Sequence, residues 1–459
     1  MDLTLNNSID RFIDNNYNDI LRDISRLVAI NSVEGEASAD APFGAGPAAA
    51  LDKALEISRE LGLDTENSDG YIGWAQLKGE EDKYIATITH LDVVPVGEGW
   101  TSDPFTMRER EGYIIGRGVM DDKGPTVLCL YALKYLKEHN IPLRYTVRAL
   151  LGVNEETGMK DVEYYLSNYP APAFCFSPDA NFPLCNGEKG ISHGRMISDI
   201  ALDKIVDIHG GFAPNAIPDK AHATVRAVGL KPTTGVEVRE DGDVTHLTAY
   251  GIGGHASLPK GTVNAIGVLV DYILNNNIVC GGEEKYLRLL QKLHCDFSGR
   301  ALGVAADDGL FEPLTIIGGV ISTENGVICQ MYDTRYPTNT NGAKIAARIG
   351  EQAGDFAHVE MIRDTEPFYM SLDNPAVKVC ISAYNDVTNE GATPYTIGGG
   401  TYARDFPNAV SFGPEHSDRP FPDFAGPIHG VDEAACIADF MEALKVYIIT
   451  LIELQKIEY

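Results

Sequence analysis

The chain has 459 residues, of which 44% are hydrophobic and 22% charged, and its formal net charge is −29. A chain of this length exceeds what one hydrophobic core usually supports, so we expect two domains. Such an acidic surface repels phosphate backbones and anionic lipids, which argues against nucleic-acid and membrane partners.

The first residues lack the basic segment and continuous apolar run of a secretion signal. The eight cysteines are dispersed and contain no C-x-x-C pair, so they are typical of small buried side chains in a reducing compartment. We therefore expect a cytoplasmic protein.

The N-terminal part of the chain alternates between helical and strand patterns. Apolar residues at helical spacing predict an amphipathic helix or a pair of helices over residues 9–30. The elements predicted after it are helices over 48–61 and 126–139 and strands over 73–78, 84–89 and 145–153. Strands that alternate with helices indicate an α/β sheet with functional residues at the strand ends.

The pattern changes after Gly187. Residues 190–370 contain short alternating segments, such as 221–228 and 245–250, interspersed with helical stretches. After this region the chain returns to α/β character, with a strand over 409–412 and a final helix from about Val431.

We therefore predict an α/β fold with two domains. The first is an α/β domain with a mixed central sheet, and the second is an α+β domain inserted into it. The predicted bounds are 1–189 and 373–459 for the first domain and 190–372 for the inserted domain.

The strand over 84–89 delivers His90 and Asp92 at its end. On extended backbone, residues two apart share a face, so the imidazole and the carboxylate point the same way. This arrangement suits a metal-ligating histidine whose second ring nitrogen is held by an acid. A strand-end histidine beside a loop is the alternative interpretation.

Further acidic and histidine residues lie at strand ends or in adjoining loops. Each has a structural alternative, namely a turn acid, solvated loop charges, an Asx-turn residue or a helix-entry histidine. Together they complete a set of two histidines and three carboxylates, with one carboxylate left as a base. Ligands of this kind without cysteine suit Zn²⁺, with Mn²⁺ or Co²⁺ as alternatives. The residues are Asp121, Glu155, Glu156, Asp179 and His429.

The segments that contain these residues resemble the M20 metallopeptidase family, which includes aminoacylase-like and carnosinase-like peptidases. The five matching segments, in the order of the family, are HLDVVP, GRGVMDDKGP, NEETG, SPD and GPIHGVDE. Further stretches are similar to bacterial dipeptidases of the PepV type, namely SPDANFPLCNGEKG, GGFAPNAIPDKA and TIGGGTYAR. The resemblance runs from about residue 10 to the C-terminus.

The resemblance implies a zinc-peptidase catalytic domain that binds two zinc ions. Asp121 would bridge the two ions. One ion would be completed by His90 and Asp179, and the other by Glu156 and His429.

The resemblance also implies which residues would act in catalysis. Asp92 would orient His90, and Glu155 would be the general base that takes a proton from a metal-bridging water. The peptide bond between Asp121 and Asp122 is expected to be cis.

For the inserted domain the resemblance implies a lid built from two ferredoxin-like halves. His255 would stabilise the oxyanion, and Asn215 and Arg335 would hold the substrate. A guanidinium suits the C-terminal carboxylate of a short peptide. Alternatively, Arg335 is a surface ion-pair residue. His193 and the other remaining histidines are assigned structural roles.

The loop of Gly399, Gly400 and Thr401 is similar to the segment of the family that offers backbone N–H groups to the substrate carboxylate. A tight turn is the alternative. The enlarged lid implies a monomer, with a dimer as the alternative.

The leading functional hypothesis is a dinuclear-zinc dipeptidase that hydrolyses free L-dipeptides, with Xaa-His and β-alanyl dipeptides as candidate substrates. The alternative is an amidohydrolase of the same family with another substrate class, such as an N-acyl-amino-acid deacylase or desuccinylase. A third hypothesis is a metal-dependent binding protein without turnover.

Overall fold

The computed structural model describes residues 3–417 and 419–459. It divides into two compact units, here called the main unit and the inserted unit. The main unit comprises Met1–Asn186, Tyr369–Tyr395 and Gly400–Tyr459, and the inserted unit comprises Gly187–Phe368 and Thr396–Gly399. The sequence suggests an insertion over 190–372, and it gives no sign that Thr396–Gly399 belongs with the inserted unit.

The main unit contains six helices among the described residues: α1 (Leu3–Val28), α2 (Ala45–Glu60), α3 (Lys123–Glu138), α4 (Lys160–Asn168), α8 (Pro375–Thr388) and α9 (Ile437–Leu454). A 3₁₀ turn covers Tyr402–Asp405. Its strands are β1 (Asp64–Ser68), β2 (Ile72–Leu77), β3 (Glu81–His90), β4 (Arg108–Arg110), β5 (Tyr113–Ile115), β6 (Tyr145–Gly152), β7 (Phe174–Ser177), β8 (Ala180–Asn181), β22 (Ala409–Ser411), β23 (Pro414–Glu415) and β24 (Ala434–Cys436). Three strands contain boundaries between the units: β9 (Cys185–Glu188), β20 (Phe368–Tyr369) and β21 (Tyr395–Ile397).

The main sheet is mixed, with the order β1-β2-β6-β3-β7-β22-β9-β20. Strands β6, β3, β7 and β22 are parallel neighbours, whereas β1 and β2 join the sheet in antiparallel fashion. The central strands are buried, as their apolar sequences require, and α2, α3 and α4 pack against strands of this sheet. The parallel core brings the carboxyl ends of these strands to one edge.

Helices α1 and α9 show why the sequence folds in this way. In α1 the apolar residues recur on one face, and Ile9, Ile20 and Ile24 are fully buried. Helix α9 is apolar on most sides, and it packs against α1, α3 and α8. The predicted opening helix or pair is therefore a single helix.

The final helix begins later than the sequence suggests. It starts at Ile437 rather than near Val431. Asp432 has a positive φ of 54° and Ala434–Cys436 pairs with β5, so residues 431–436 cannot continue a helix.

The inserted unit is an antiparallel sheet with helices. Its strands are β10 (Gly190–Ser198), β11 (Ile205–Gly210), β12 (Ala216–Ile217), β13 (Lys220–Val225), β14 (Val236–Asp241), β15 (Val244–Tyr250), β16 (Gly254–His255), β17 (Thr315–Glu324), β18 (Val327–Tyr336) and β19 (Ala357–Thr365). Its helices are α5 (Ala265–Asn275), α6 (Gly281–His294) and α7 (Gly342–Ala353). Eight of the strands form one sheet in the order β14-β15-β13-β11-β17-β18-β10-β19.

The three helices of the inserted unit share one core with this sheet, in which Ile208, Leu269 and Leu290 are fully buried. The fold is thus a mixed α/β main unit with an inserted α+β unit, as the sequence predicts. Within the described residues, no helix combines the length and the apolar composition that crossing a bilayer requires.

Candidate metal centre and active site

Three parallel strands of the main unit deliver acidic and histidine side chains at one edge. His90 is the last residue of β3, Glu155 and Glu156 follow β6, and Asp179 follows β7. Carboxyl ends of neighbouring parallel strands lie together, which is where α/β sheets usually place their functional groups. Residues distant in sequence therefore converge.

Asp121 lies between two imidazoles. Its Oδ1 is 2.7 Å from His90 Nε2, and its Oδ2 is 2.8 Å from His429 Nε2. Asp179 Oδ2 is 3.8 Å from His90 Nε2, and Glu156 Oε1 is 3.2 Å from His429 Nε2. One oxygen of Asp121 therefore lies on the side of His90 and Asp179, and the other lies on the side of His429 and Glu156.

The loop before α3 carries Asp121, and the peptide bond between Asp121 and Asp122 is cis, as expected. Asp122 is fully buried, and its Oδ2 accepts the backbone N–H of His90 at 3.2 Å. This contact ties the loop to the end of β3.

The hydrogen bonds of His90 favour its role as a ligand. Its Nδ1 lies 3.0 Å from the backbone carbonyl oxygen of Asp92, which can only accept a hydrogen bond. Nδ1 therefore carries a proton that it donates to this carbonyl, which leaves Nε2, on the side of Asp121 and Asp179, as the nitrogen that a metal ion would bind.

The Asp92 carboxylate has a further contact that the sequence does not reveal. Its Oδ1 is 3.5 Å from His90 Nδ1, while its two oxygens accept the backbone N–H groups of Glu155 and Glu156 at 3.2 and 3.1 Å. Asp92 thus holds the two adjacent glutamates as well as lying beside His90.

Burial and like charges shift the pKa values of this centre. Burial together with the nearby Asp179 charge raises the pKa of Glu155 well above its usual value. Burial and the Asp121 charge raise the pKa of Asp179 to about 7. The adjacent carboxylates of Asp121 and Glu156 raise the pKa of His429 to about 10. The carboxylates repel one another, and a divalent cation among them would offset that repulsion.

The donor set fits a metal ion. His90 Nε2 and Glu156 Oε1 are buried, and within the described part of the chain neither has a partner with hydrogen-bond geometry. His90, Asp121 and Glu156 form one group whose ligand atoms all lie within 4.8 Å, and His90, Glu155 and Asp179 form another. Buried polar atoms of this kind normally have partners, so a cation explains them.

Sequence patterns missed two residues that support the glutamates. Asp161 is fully buried, and its Oδ2 accepts the backbone N–H groups of Val153 and Asn154 at 2.7 and 3.0 Å. The hydroxyl of Tyr402 donates to the same oxygen, and its ring meets the His90 ring edge-on at 6.3 Å. In the sequence, the feature that points to this pair is the position of Tyr402 directly after the glycine loop.

In the inserted unit, His255 and Asn215 lie together. Ala216 pairs with His255 between β12 and β16, and this brings Asn215 Nδ2 to 3.4 Å from His255 Nε2. His255 Nδ1 is 2.7 Å from Ser257 Oγ. Burial and the nearby charge of Arg335 lower the pKa of His255, which favours a neutral imidazole.

Arg335 is buried and held by neighbours. Its Nε and Nη2 donate to the two oxygens of Asp333 at 2.8 and 3.1 Å, and its Nη1 donates to the Gly398 carbonyl at 2.7 Å. It is therefore not a surface ion-pair residue. A guanidinium has five N–H donors, so about two remain for an anion. His193, which sequence patterns assign a structural role, lies 2.8 Å from Asp333 through its Nε2.

The glycine loop is divided between the units, with Gly399 in the inserted unit and Gly400 and Thr401 in the main unit. Thr401 is buried, and its hydroxyl accepts the backbone N–H of Ala403 at 3.1 Å and lies 2.8 Å from Ser411 Oγ. The Thr401 hydroxyl thus caps the 3₁₀ turn, and the carboxylate-binding role of the loop stays a prediction.

Curated relatives and a solved structure are similar to this chain along most of its length. YtjP of Bacillus subtilis is 33% identical over 95% of this chain and 97% of its own length. The Beta-Ala-Xaa dipeptidase of Lactobacillus delbrueckii subsp. lactis is 32% identical over 96% of both chains. The crystal structure of human carnosine dipeptidase 1 has the same fold, with a TM-score of 0.57, 15% identity, and coverage of 98% of this chain and 100% of that one. Residues 86–453 match the model of peptidase family M20/M25/M40, and the chain belongs to this family.

Proposed function

We propose that this chain is a dipeptidase that uses two divalent cations, zinc in the first place, to hydrolyse free L-dipeptides. The observation that carries the proposal is the position of Asp121, whose two oxygens lie 2.7 and 2.8 Å from the imidazole nitrogens of His90 and His429. The relative from L. delbrueckii, whose name states an activity on β-alanyl dipeptides, makes such dipeptides the first candidates.

Five residues would hold the cations. Asp121 would contribute one oxygen to each ion, which its two histidine contacts support. When bound, the ions would make a water molecule more acidic and polarise the scissile carbonyl. The remaining ligands would be His90 and Asp179 for one ion and Glu156 and His429 for the other.

Glu155 would move the proton. Its backbone N–H is fixed by Asp92, and its carboxyl lies with His90 and Asp179 in a group whose ligand atoms are all within 4.8 Å of one another. A carboxylate beside the cations would take a proton from the attacking water. The same carboxyl would then donate that proton to the amine nitrogen of the leaving residue.

The inserted unit would bind the substrate. The two remaining N–H donors of Arg335 suit the C-terminal carboxylate of a dipeptide. His255 and Asn215, which contact each other, would serve the carbonyl oxygen of the scissile bond. These roles rest on the resemblance to PepV-type dipeptidases, together with the local geometry of each side chain.

The experiment compares two substrate panels with the zinc-loaded protein. One panel contains free dipeptides, including β-alanyl and Xaa-His dipeptides, and the other contains the matching N-acetyl and N-succinyl amino acids. We expect hydrolysis of the dipeptides. Turnover of the N-acyl compounds alone would overturn the proposal in favour of an amidohydrolase, and bound metal without turnover on either panel would indicate a binding protein.

A further inference from the structure

A buried ion pair connects the segment that precedes Asp121 with the segment that follows His429. Arg117 Nη1 donates to Glu433 Oε2 at 2.6 Å, and both side chains are 1% exposed. The two residues are 316 positions apart in the chain. We infer that Glu433, held by Arg117, is a positioning residue that sets Asp121 and His429 at the separation that two cations require. The inference rests on the proposed metal centre.

The second oxygen of Glu433 organises the turn that leads to Asp121. Glu433 Oε1 accepts the backbone N–H groups of Gly118 and Met120 at 3.0 and 3.2 Å, and that of Asp121 lies 3.4 Å away. The Glu433 carbonyl accepts the N–H of Gly116 at 2.9 Å. One side chain therefore fixes several peptide groups immediately before the bridging carboxylate.

Arg117 reaches the other segment. Its Nη2 donates to the backbone carbonyl of His429 at 3.3 Å, and its guanidinium lies over the Trp100 ring at 5.2 Å. The His429 side chain is 52% exposed, so packing alone holds it weakly. Its backbone has a positive φ of 62°, a conformation that the surrounding contacts must maintain.

The Arg117 guanidinium balances the negative charge of Glu433 near the acidic ligands. A lone carboxylate beside Asp121 would add to the repulsion among the acidic ligands, whereas the Arg117 charge neutralises Glu433 at 2.6 Å. Glu433 can thus accept several N–H groups close to the metal centre without acting as a ligand.

A purely structural role is the alternative, and the chain offers a matched control for it. Asp23 is also 1% exposed in the main unit, where it accepts hydrogen bonds from Tyr131 Oη at 2.8 Å and Arg26 Nη1 at 3.1 Å. Removing either carboxylate leaves buried cations or donors unpaired and destabilises the fold. Of these two carboxylates, only Glu433 contacts a segment that carries a proposed ligand.

The test measures the zinc affinity of the full chain by competition with a chromophoric chelator, together with the thermal stability of the metal-free protein. Partners of metal ligands typically change metal affinity by about 10- to 100-fold, and we expect a loss of that size in Glu433→Ala. Glu433→Gln keeps the volume and one acceptor oxygen but breaks the ion pair. Its loss of zinc affinity should therefore be measurable but smaller than that of Glu433→Ala. Asp23→Ala should lower the stability and keep the wild-type affinity.

The outcomes separate the two proposals. Wild-type zinc affinity in Glu433→Gln and Glu433→Ala would overturn the positioning role while leaving the metal centre intact. An equal loss of affinity in Asp23→Ala would show that destabilisation alone is the cause, and this also overturns it. If Glu433→Ala does not fold, the zinc affinity of Glu433→Gln alone tests the positioning role. A wild-type chain that binds no zinc would overturn both proposals.

Discussion

Asp121 shows at the scale of one residue how a carboxylate can serve two cations. Its oxygens diverge towards His90 and His429, and the imidazoles lie 2.7 and 2.8 Å from different oxygens. An amide of the same length would offer one oxygen and an NH₂ group that cannot bind a cation. The residues around it have separate tasks, because Glu156 contacts His429 while Glu155 contacts neither imidazole at salt-bridge distance.

Glu155→Gln tests the assignment of the base. The amide cannot accept a proton, and general acid–base groups contribute about 10²- to 10⁴-fold, so kcat should fall by that factor. Zinc content should stay at the wild-type value. Asp121→Ala is the comparison, since it should lose zinc as well. Near-normal kcat in Glu155→Gln would assign the proton transfer to another group.

Arg335→Ala tests substrate binding by the inserted unit. Hydrogen bonds to charged groups contribute about 1.5–3 kcal/mol, so KM for dipeptides should rise about 10- to 100-fold while kcat changes little. Arg195→Ala is a suitable control, because Arg195 lies on β10 of the same unit and pairs with Glu324. Steady-state kinetics on one β-alanyl dipeptide gives both values. An unchanged KM would remove Arg335 from the substrate site.

Sequence patterns indicate candidate ligands more readily than the residues that support them. His90 and Asp92 lie at a recognisable strand end, and the other candidates lie in short acidic or histidine-containing motifs. Asp161 and Tyr402 are 241 positions apart, and nothing in either local sequence predicts their contact. Supporting contacts depend on strand register and loop conformation, which periodicity does not encode.

At the scale of secondary-structure elements, the parallel order β6-β3-β7 creates the site. The sequence predicts β3 and β6 because their apolar, β-branched residues fill a buried sheet. It does not predict the pairing, which places His90 opposite Gly152 and so brings the loop with Glu155 beside β3. The sequence predicts too long a final helix, because the apolar strand β24 precedes α9 directly.

The end of α6 provides a pH-dependent packing contact. His294 is the last residue of α6, its Nε2 lies 3.3 Å from Gln330 Oε1 on β18, and burial lowers its pKa to about 4. The unfolded chain has the ordinary histidine pKa of about 6.5, so it binds a proton that the folded state excludes. The contribution of His294 to the free energy of unfolding should therefore decrease as pH falls from about 6.5 to about 4, and level off below that.

His294→Gln should reduce this pH dependence. We expect the slope of the free energy of unfolding against pH to decrease by up to about 1.4 kcal/mol per pH unit between pH 6.5 and pH 4. Urea unfolding at a series of pH values measures this slope. His209→Gln is a control for an exposed histidine of the same unit and should keep the wild-type slope. An identical slope in His294→Gln would show that other groups cause the acid sensitivity.

At the scale of the whole molecule, the chain combines a main unit that holds the candidate ligands with an inserted unit that holds Asn215, His255 and Arg335. The eight-stranded sheet of the inserted unit has twice the strands of a β-α-β-β-α-β lid, and the monomer stays a prediction. The composition indicates a globular protein, and the change of pattern near Gly187 predicts the insertion. Neither predicts that Thr396–Gly399 belongs to the inserted unit.

The central claim is that Asp121 bridges two cations. The most direct measurement is an anomalous-scattering map at the zinc edge from crystals of the zinc-loaded chain. We expect two peaks about 3.5–4 Å apart, with one oxygen of Asp121 on each. His90 and Asp179 should contact the first peak, and Glu156 and His429 the second. A single peak, or peaks away from Asp121 at full zinc loading, would contradict the account.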